Sequence, residues 1–274
     1  MSDPRLTPAT DRVALSSLRG TLDRPDYTDG KLMRVAVPLA ELCRTPAGAR
    51  DRQLNFGADV TVIDEGGEDG WVFVQAMADG YCGWTTGGAL SDQRPPLTHR
   101  VCAPATHLYP AANMKLHQYF ALSIGAQLAV DGFEGSFARL ATGGYVPVQH
   151  ITDQLETDPV AVALRLLGTP YLWGGNSDWG IDCSGLVQVA FAACGIACPG
   201  DTDLQRDAGR AVDGAPQPGD LLFWPGHVSM VIDEENMVHA NGHAMAVTIE
   251  NIEAAKARIE AAGEGPLQGA RRFS

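Results

Sequence analysis

This sequence is poor in the features that place a chain in a membrane or on nucleic acid. No run approaches the roughly 18 consecutive apolar residues of a spanning helix, so none is expected. The first residues, Met1-Ser2-Asp3-Pro4-Arg5, lack the basic-then-apolar pattern of a secretory signal. No lysine–arginine run occurs, and 20 basic residues face 33 acidic ones for a formal net charge of −13. Such a field repels phosphate backbones and anionic surfaces, so neither nucleic acid nor membrane is expected as a partner. Cysteine is scarce: the six, at 43, 82, 102, 183, 194 and 198, follow no framework spacing. They read as reduced thiols of a cytoplasmic protein. Cys194 and Cys198 have no second Cys or His pair close by, and a structural zinc site needs four ligands, so no metal is expected.

What is present suffices for a folded protein. The apolar share is 45%, enough for a core, and 274 residues suggest about two domains, or three if two are small. Residues 1–30 are polar, with one short amphipathic stretch from Asp11 to Leu18, and are expected to form a helical lead-in. An internal repeat follows. Arg34-Val35-Ala36-Val37-Pro38 reads against Arg100-Val101-Cys102-Ala103-Pro104 at an offset of 66, and Gly80-Tyr81 against Gly144-Tyr145 at an offset of 64. Short alternating strands such as Val60–Ile63 and Trp71–Val74 lie between these landmarks, separated by glycine-rich turns. A strand-built unit of this size suggests a small closed or partly closed barrel, because closure removes exposed edges. Two copies are expected, over 31–92 and 93–153.

The composition changes again at Asp158-Pro159, a helix cap followed by proline at the first helical position. A helix over 160–167, a glycine-rich loop and a second helix from Cys183 come next. Strands are expected over 220–224, 227–233, 237–241 and 246–250, then a helix over 251–262. Helices first and an antiparallel sheet afterwards read as α+β.

Cys183 falls where the glycine-rich loop becomes an apolar helix. Free N–H groups and the positive end of the dipole there favour a thiolate. A small buried core cysteine is the other reading. His227 starts a strand after Pro225-Gly226, and His239 lies on the next one, so a tight hairpin can bring them together on one face. Either histidine alone could be structural. Together with Cys183 they supply the nucleophile, base and orienting group of thiol catalysis, with His243 a rival for the third place. His99, His107, His117 and His150 fall in the strand-rich region and look incidental.

Five stretches then carry a resemblance: Thr169-Pro170-Tyr171-Leu172-Trp173-Gly174-Gly175, Asp182-Cys183-Ser184-Gly185-Leu186-Val187-Gln188, Gly219–Trp224, Gly226-His227-Val228 and Val238-His239-Ala240. In this order they resemble the motifs of the NlpC-type cysteine peptidases, papain-like enzymes acting on peptidoglycan peptides. The resemblance covers about residues 158–262. The tandem ahead of it is similar to the bacterial SH3-like barrels joined to such domains, though less specifically. It implies an α+β papain-like peptidase domain over 154–274, preceded by two SH3-like barrels.

The same resemblance implies Cys183 as nucleophile, His227 as general base and then acid, and His239 as the orienting third member. It gives the Cys183 N–H an oxyanion-stabilising role, and places Tyr171, Trp173, Asp182 and Ser184 along the substrate site. Trp173 could equally be core, and Asp182 simply a helix cap. In the γ-D-glutamyl–L-diamino-acid endopeptidase (dipeptidyl-peptidase VI) branch, an acid and a tyrosine of the barrel hold the substrate's free amine. Asp51 and Tyr81 match them, with aspartate one methylene shorter than the usual glutamate. The expectation is therefore a cofactor-free endopeptidase acting on murein-derived peptides. Its rivals are an amidase or acyltransferase, and a wall-peptide binding protein with an idle site.

Overall fold

The computed structural model describes residues 3–273 and divides the chain into two compact units, Met1–Asp153 and Gln154–Ser274. In the first, strict alternation does most of the building. Val60 and Val62, and Val72 and Val74, turn inward from their strands and join Val35, Leu42 and Tyr81 in one core. The strands around it form a seven-stranded antiparallel sheet in the order Arg50–Asn55, Leu39–Cys43, Cys82–Thr86, Trp71–Ala76, Asp59–Asp64, Lys31–Val35, Leu90–Ser91.

The repeat in the sequence is a repeat in structure. Strands His99–Val101, Ala105–Leu108, Phe120–Ser123, Gln127–Leu128 continued by Val130–Glu134, Phe137–Leu140 and Tyr145–Pro147 lead to a 3-10 turn, Val148–His150, and the strand Ile151–Thr152. The first set ends alike, with the 3-10 turn Gly87–Ala89 before Leu90–Ser91. Val101, Leu108, Leu122, Leu128, Leu140 and Val146 form a core of their own. At Gly144, φ is 90° and an added Cβ would meet the Leu108 side chain at 2.8 Å, so the second Gly-Tyr pair needs its glycine for both conformation and space.

Residues 1–30 are not the helix that their pattern suggested, and Met1 and Ser2 of that segment lie outside the described residues. Two 3-10 turns, Pro4–Leu6 and Ser16–Leu18, flank a strand, Val13–Leu15, that pairs in parallel with Asp26–Thr28. An eight-residue helix cannot recover its nucleation cost alone. As a strand the segment gains backbone partners and packs Val13 and Leu15 against Ile63, Phe73 and Cys82.

The second unit begins as its caps dictate. Asp158 accepts the Val160 N–H at 2.9 Å and Pro159 opens helix α1, Pro159–Leu164, shorter than the expected 160–167. Helix α2, Cys183–Ala193, is buried on nearly every side, the mark of a central helix rather than an amphipathic one. An antiparallel six-stranded sheet runs in the order Arg210–Ala211, Gly269–Arg272, Leu221–Trp224, His227–Val231, Asn236–Asn241, Ala246–Asn251. Helix α4, Ile252–Ala261, is capped by Asn251 and packs Ile252, Ala255 and Ile259 against Leu222, Trp224 and Met237.

Some elements went unread in the sequence, helix α3, Thr202–Ala208, and the strand Gly269–Arg272 among them. Helix α3 buries only Gln205, so it carries no apolar stripe. Strand Gly269–Arg272 has no alternation either, and forms because it completes the open edge of Leu221–Trp224. Its last arginine grips Asp220 through two hydrogen bonds of 2.6 and 2.7 Å.

Candidate active site

The nucleophile candidate is placed by its neighbour. Asp182 Oδ1 accepts the Gly185 N–H at 2.7 Å and the Ser184 hydroxyl at 2.9 Å, while Oδ2 accepts the Gly174 N–H at 2.8 Å. One carboxylate thus caps α2 and ties the glycine-rich loop to the helix that it precedes. The approach is so close that a Cβ at Gly185 would lie 2.3 Å from the Gly175 carbonyl oxygen. Gly185→Ala is expected to lower stability by about 1–3 kcal/mol through overpacking, read as a fall in melting temperature and a matching loss of activity.

Cys183 is the first residue of α2 and is buried. Its Sγ lies 3.6 Å from Thr202 Oγ1 and receives the backbone N–H groups of Val228 and Ser184. These contacts and the helix start favour the thiolate, as the sequence suggested, but they are outweighed. Burial, and then the charge of Asp182, push the thiol up to about 11. The resting group is therefore a neutral thiol.

The two histidines come from adjacent strands. The chain reverses through Pro225-Gly226, with Gly226 at φ 71°, so that His227 opens its strand opposite Trp224. Met230 stands opposite Val238, which leaves His227 and His239 diagonal to one another on the same face. His227 Nε2 lies 2.8 Å from His239 Nδ1. Behind them Glu250 Oε2 is 3.0 Å from His239 Nε2, off the line of the ring N–H, and Arg258 donates to both Glu250 oxygens at 2.9 and 2.7 Å. Burial pushes His227 down to about 3, helped by His239 and Arg258 and opposed by Glu250. Burial likewise takes His239 down to about 4. Burial thus favours the neutral form of both rings, and Nδ1 is the ring nitrogen of His227 that does not face His239.

The other residues singled out in the sequence divide in two. Tyr171 donates its N–H to the Met245 carbonyl at 2.9 Å and pairs with Ile181. Its phenol is pushed up by burial and then by Cys183 and Asp182, which sets it beside the thiol. Trp173 is 69% exposed and so is not core. Ser184 is buried and bound to Asp182. Those four, with Cys183, His227 and His239, all belong to the second unit.

Asp51 and Tyr81 belong to the first unit. Asp51 is paired with Arg44 at 2.7 Å. Tyr81 is 1% exposed in the sheet core, with the Arg52 guanidinium 4.9 Å above its ring. His243 lies exposed in the turn after its strand, and His239 holds the place beside His227. Sequence reasoning missed Thr202, Glu250 and Arg258. A signal existed for Glu250: Thr248 stands opposite His239, and a residue two further along the same strand shares its face. No group of three or more metal-ligating side chains occurs among the described residues.

Residues 168–260 match the model of the NlpC/P60 family, and residues 42–90 match that of the bacterial dipeptidyl-peptidase Sh3 domain. A gamma-D-glutamyl-L-lysine dipeptidyl-peptidase of Bacillus subtilis (strain 168) is 30% identical over 69% of this chain and 71% of its own length. Dipeptidyl-peptidase 6 of Lysinibacillus sphaericus is 39% identical over 103 residues, 34% of this chain and only 35% of that protein. Among solved structures, an NlpC/P60 family protein from Bacillus cereus ATCC 10987 superposes with a TM-score of 0.75 at 23% identity, covering 89% of this chain and 99% of the other. That last likeness concerns the fold.

Proposed function

The chain belongs to the NlpC/P60 family of cysteine peptidases, and from that premise we propose that it hydrolyses the γ-D-glutamyl–L-diamino-acid bond of short peptidoglycan-derived peptides bearing a free N-terminal L-Ala. The observation that carries the reading is the neutral Cys183 thiol at the start of α2, held against the Val228 N–H beside His227, which is itself linked to His239. The printed name of the Bacillus subtilis relative supports the substrate class.

In this reading Sγ attacks the γ-carbonyl carbon of D-glutamate while His227 Nδ1 takes the thiol proton. The C=O electron pair moves to oxygen, which the Cys183 N–H stabilises. On collapse the C–N bond breaks, and the imidazolium gives its proton to the departing amine of the diamino acid. A ring whose proton is held as weakly as that of His227 surrenders it readily. Water, deprotonated by the same nitrogen, then opens the thioester and restores the thiol. His239 orients the base, while Tyr171, Trp173, Asp182 and Ser184 line the site. The scarcity of cysteine, six in 274 residues with no framework spacing, supports a reducing, cytoplasmic setting.

L-Ala-γ-D-Glu-diaminopimelate and its N-acetyl form provide the test. The free peptide is expected to be cleaved, and acetylation to lower kcat/KM by roughly 100-fold or more, since it removes one member of a charge pair. Mass spectrometry of the products reads both. Equal cleavage of the blocked peptide would remove the free-amine requirement, and release of free L-Ala would move the scissile bond elsewhere.

A further inference from the structure

The contact behind the histidine pair has work of its own. We propose that Glu250, held by Arg258, fixes the tautomers of His239 and His227 so that His227 Nδ1 is the ring nitrogen left free to accept the Cys183 proton. The proposal rests on the peptidase reading above and adds two positioning residues to it, neither of which touches substrate.

The argument is one of lone pairs. With Glu250 Oε2 3.0 Å from His239 Nε2, a proton on that nitrogen is attracted and a lone pair is repelled, even though the oxygen lies off the N–H line. Nδ1 of His239 is then an acceptor. It sits 2.8 Å from His227 Nε2, where two lone pairs would repel, so His227 Nε2 carries the proton. His227 Nδ1 is left with its lone pair. Reverse the first choice and every later one reverses: His227 would carry its proton on Nδ1 and could not act as a base. A carboxylate at the far end of the chain therefore decides whether the near end is competent.

Arg258 answers a second requirement. A bare carboxylate this close would also hold an extra proton on the pair, turning the base into its spent form. The guanidinium binds both Glu250 oxygens, so it fixes their direction and offsets their charge at once. Accordingly Glu250 raises and Arg258 lowers the histidines, and both stay neutral. Helix α2, which starts at Cys183 directly after Asp182, packs against the two strands that carry the histidines, and Glu264 adds a negative charge near Arg258. The arrangement is local, because the strand carrying Glu250 runs directly into α4 and its Arg258.

Histidine ¹⁵N chemical shifts in full-length Cys183→Ala protein read the tautomers without any substrate, so a wrong substrate assignment leaves this test standing. At neutral pH both rings are expected as Nε2–H, and Glu250→Ala is expected to give a mixture. Arg258→Gln should raise the histidine titration by roughly 1 unit, and Glu250→Gln should shift it the opposite way. In the active protein Glu250→Ala should lower kcat roughly 10- to 100-fold with KM unchanged. His227 found protonated at Nδ1, or both charge variants moving the titration in one direction, would overturn the proposal. Melting temperatures of each variant separate these effects from simple loss of fold.

Discussion

Cys183→Ala is expected to lower kcat/KM by roughly 10⁴-fold or more while leaving the melting temperature almost unchanged. The loss is large because no other group near the base can form the acyl bond. It is selective because a single small sulfur is removed from a site held by other contacts: Asp182 caps α2 through the Gly185 N–H, and Leu186, Val187, Val189, Ala190 and Phe191 bury the rest of the helix. Cys183→Ser should fare no better. A base pushed down to about 3 can accept a thiol's proton as the sulfur attacks, but it is far too weak to activate an alcohol.

The pH profile follows with a definite sign. The working form of His227 is the neutral ring, present above its pKa and lost below it. The acid limb of kcat/KM should therefore fall near pH 3 to 4, well below the ordinary histidine value of about 6.5. A limb at pH 6 to 7 would contradict a dry, neutral pair. So would turnover by the alanine variant at more than a trace of the wild-type rate.

The second large effect concerns stability. Arg272→Ala is expected to destabilise the second unit, read as a lower midpoint in urea unfolding, because it removes both side-chain donors from a buried carboxylate. Asp220 is 1% exposed, and both its oxygens are taken by Arg272, with the Gln217 N–H a further donor at 2.8 Å. Although burial works against the charged form, the arginine and that N–H hold the carboxyl below its usual range. A carboxyl lowered in the folded state stabilises above its unfolded pKa, and this contribution is lost as pH falls through the folded value. The gap between wild type and variant should thus be full at neutral pH and close below about pH 4. An equal gap at pH 3 would assign the loss to the edge strand rather than to the charge.

Much of the second unit could be read in advance because its signals are local. Asp158-Pro159 favours a helix start, Pro225-Gly226 favours a chain reversal, and short apolar runs between turn signals, such as Leu221–Trp224, read as buried strands. The repeat in the first unit was legible for a related reason: strand alternation and Gly-Tyr turns survive as patterns even where few residues are identical. Val13–Leu15 misled because an eight-residue amphipathic window fits a helix and a strand about equally, and only the outer face of a distant sheet decides between them.

The amino-acid sequence by itself singled out the groups proposed to carry the chemistry: a cysteine after a capping aspartate, one histidine after a tight turn and another on the next strand. It also determined the order of the elements that hold them. Their protonation was settled only in three dimensions. A helix start argues for a thiolate, yet burial of Cys183 and the Asp182 charge reverse that, since desolvation depends on everything packed around the sulfur. The same holds for the histidines, whose free nitrogen depends on Glu250 and Arg258, residues that no motif marks and that sheet register and a helix cap bring to His239. Local patterns choose the elements, because backbone conformation responds to near neighbours; charge and tautomer answer to the whole surrounding volume, and that exists only once the chain has folded.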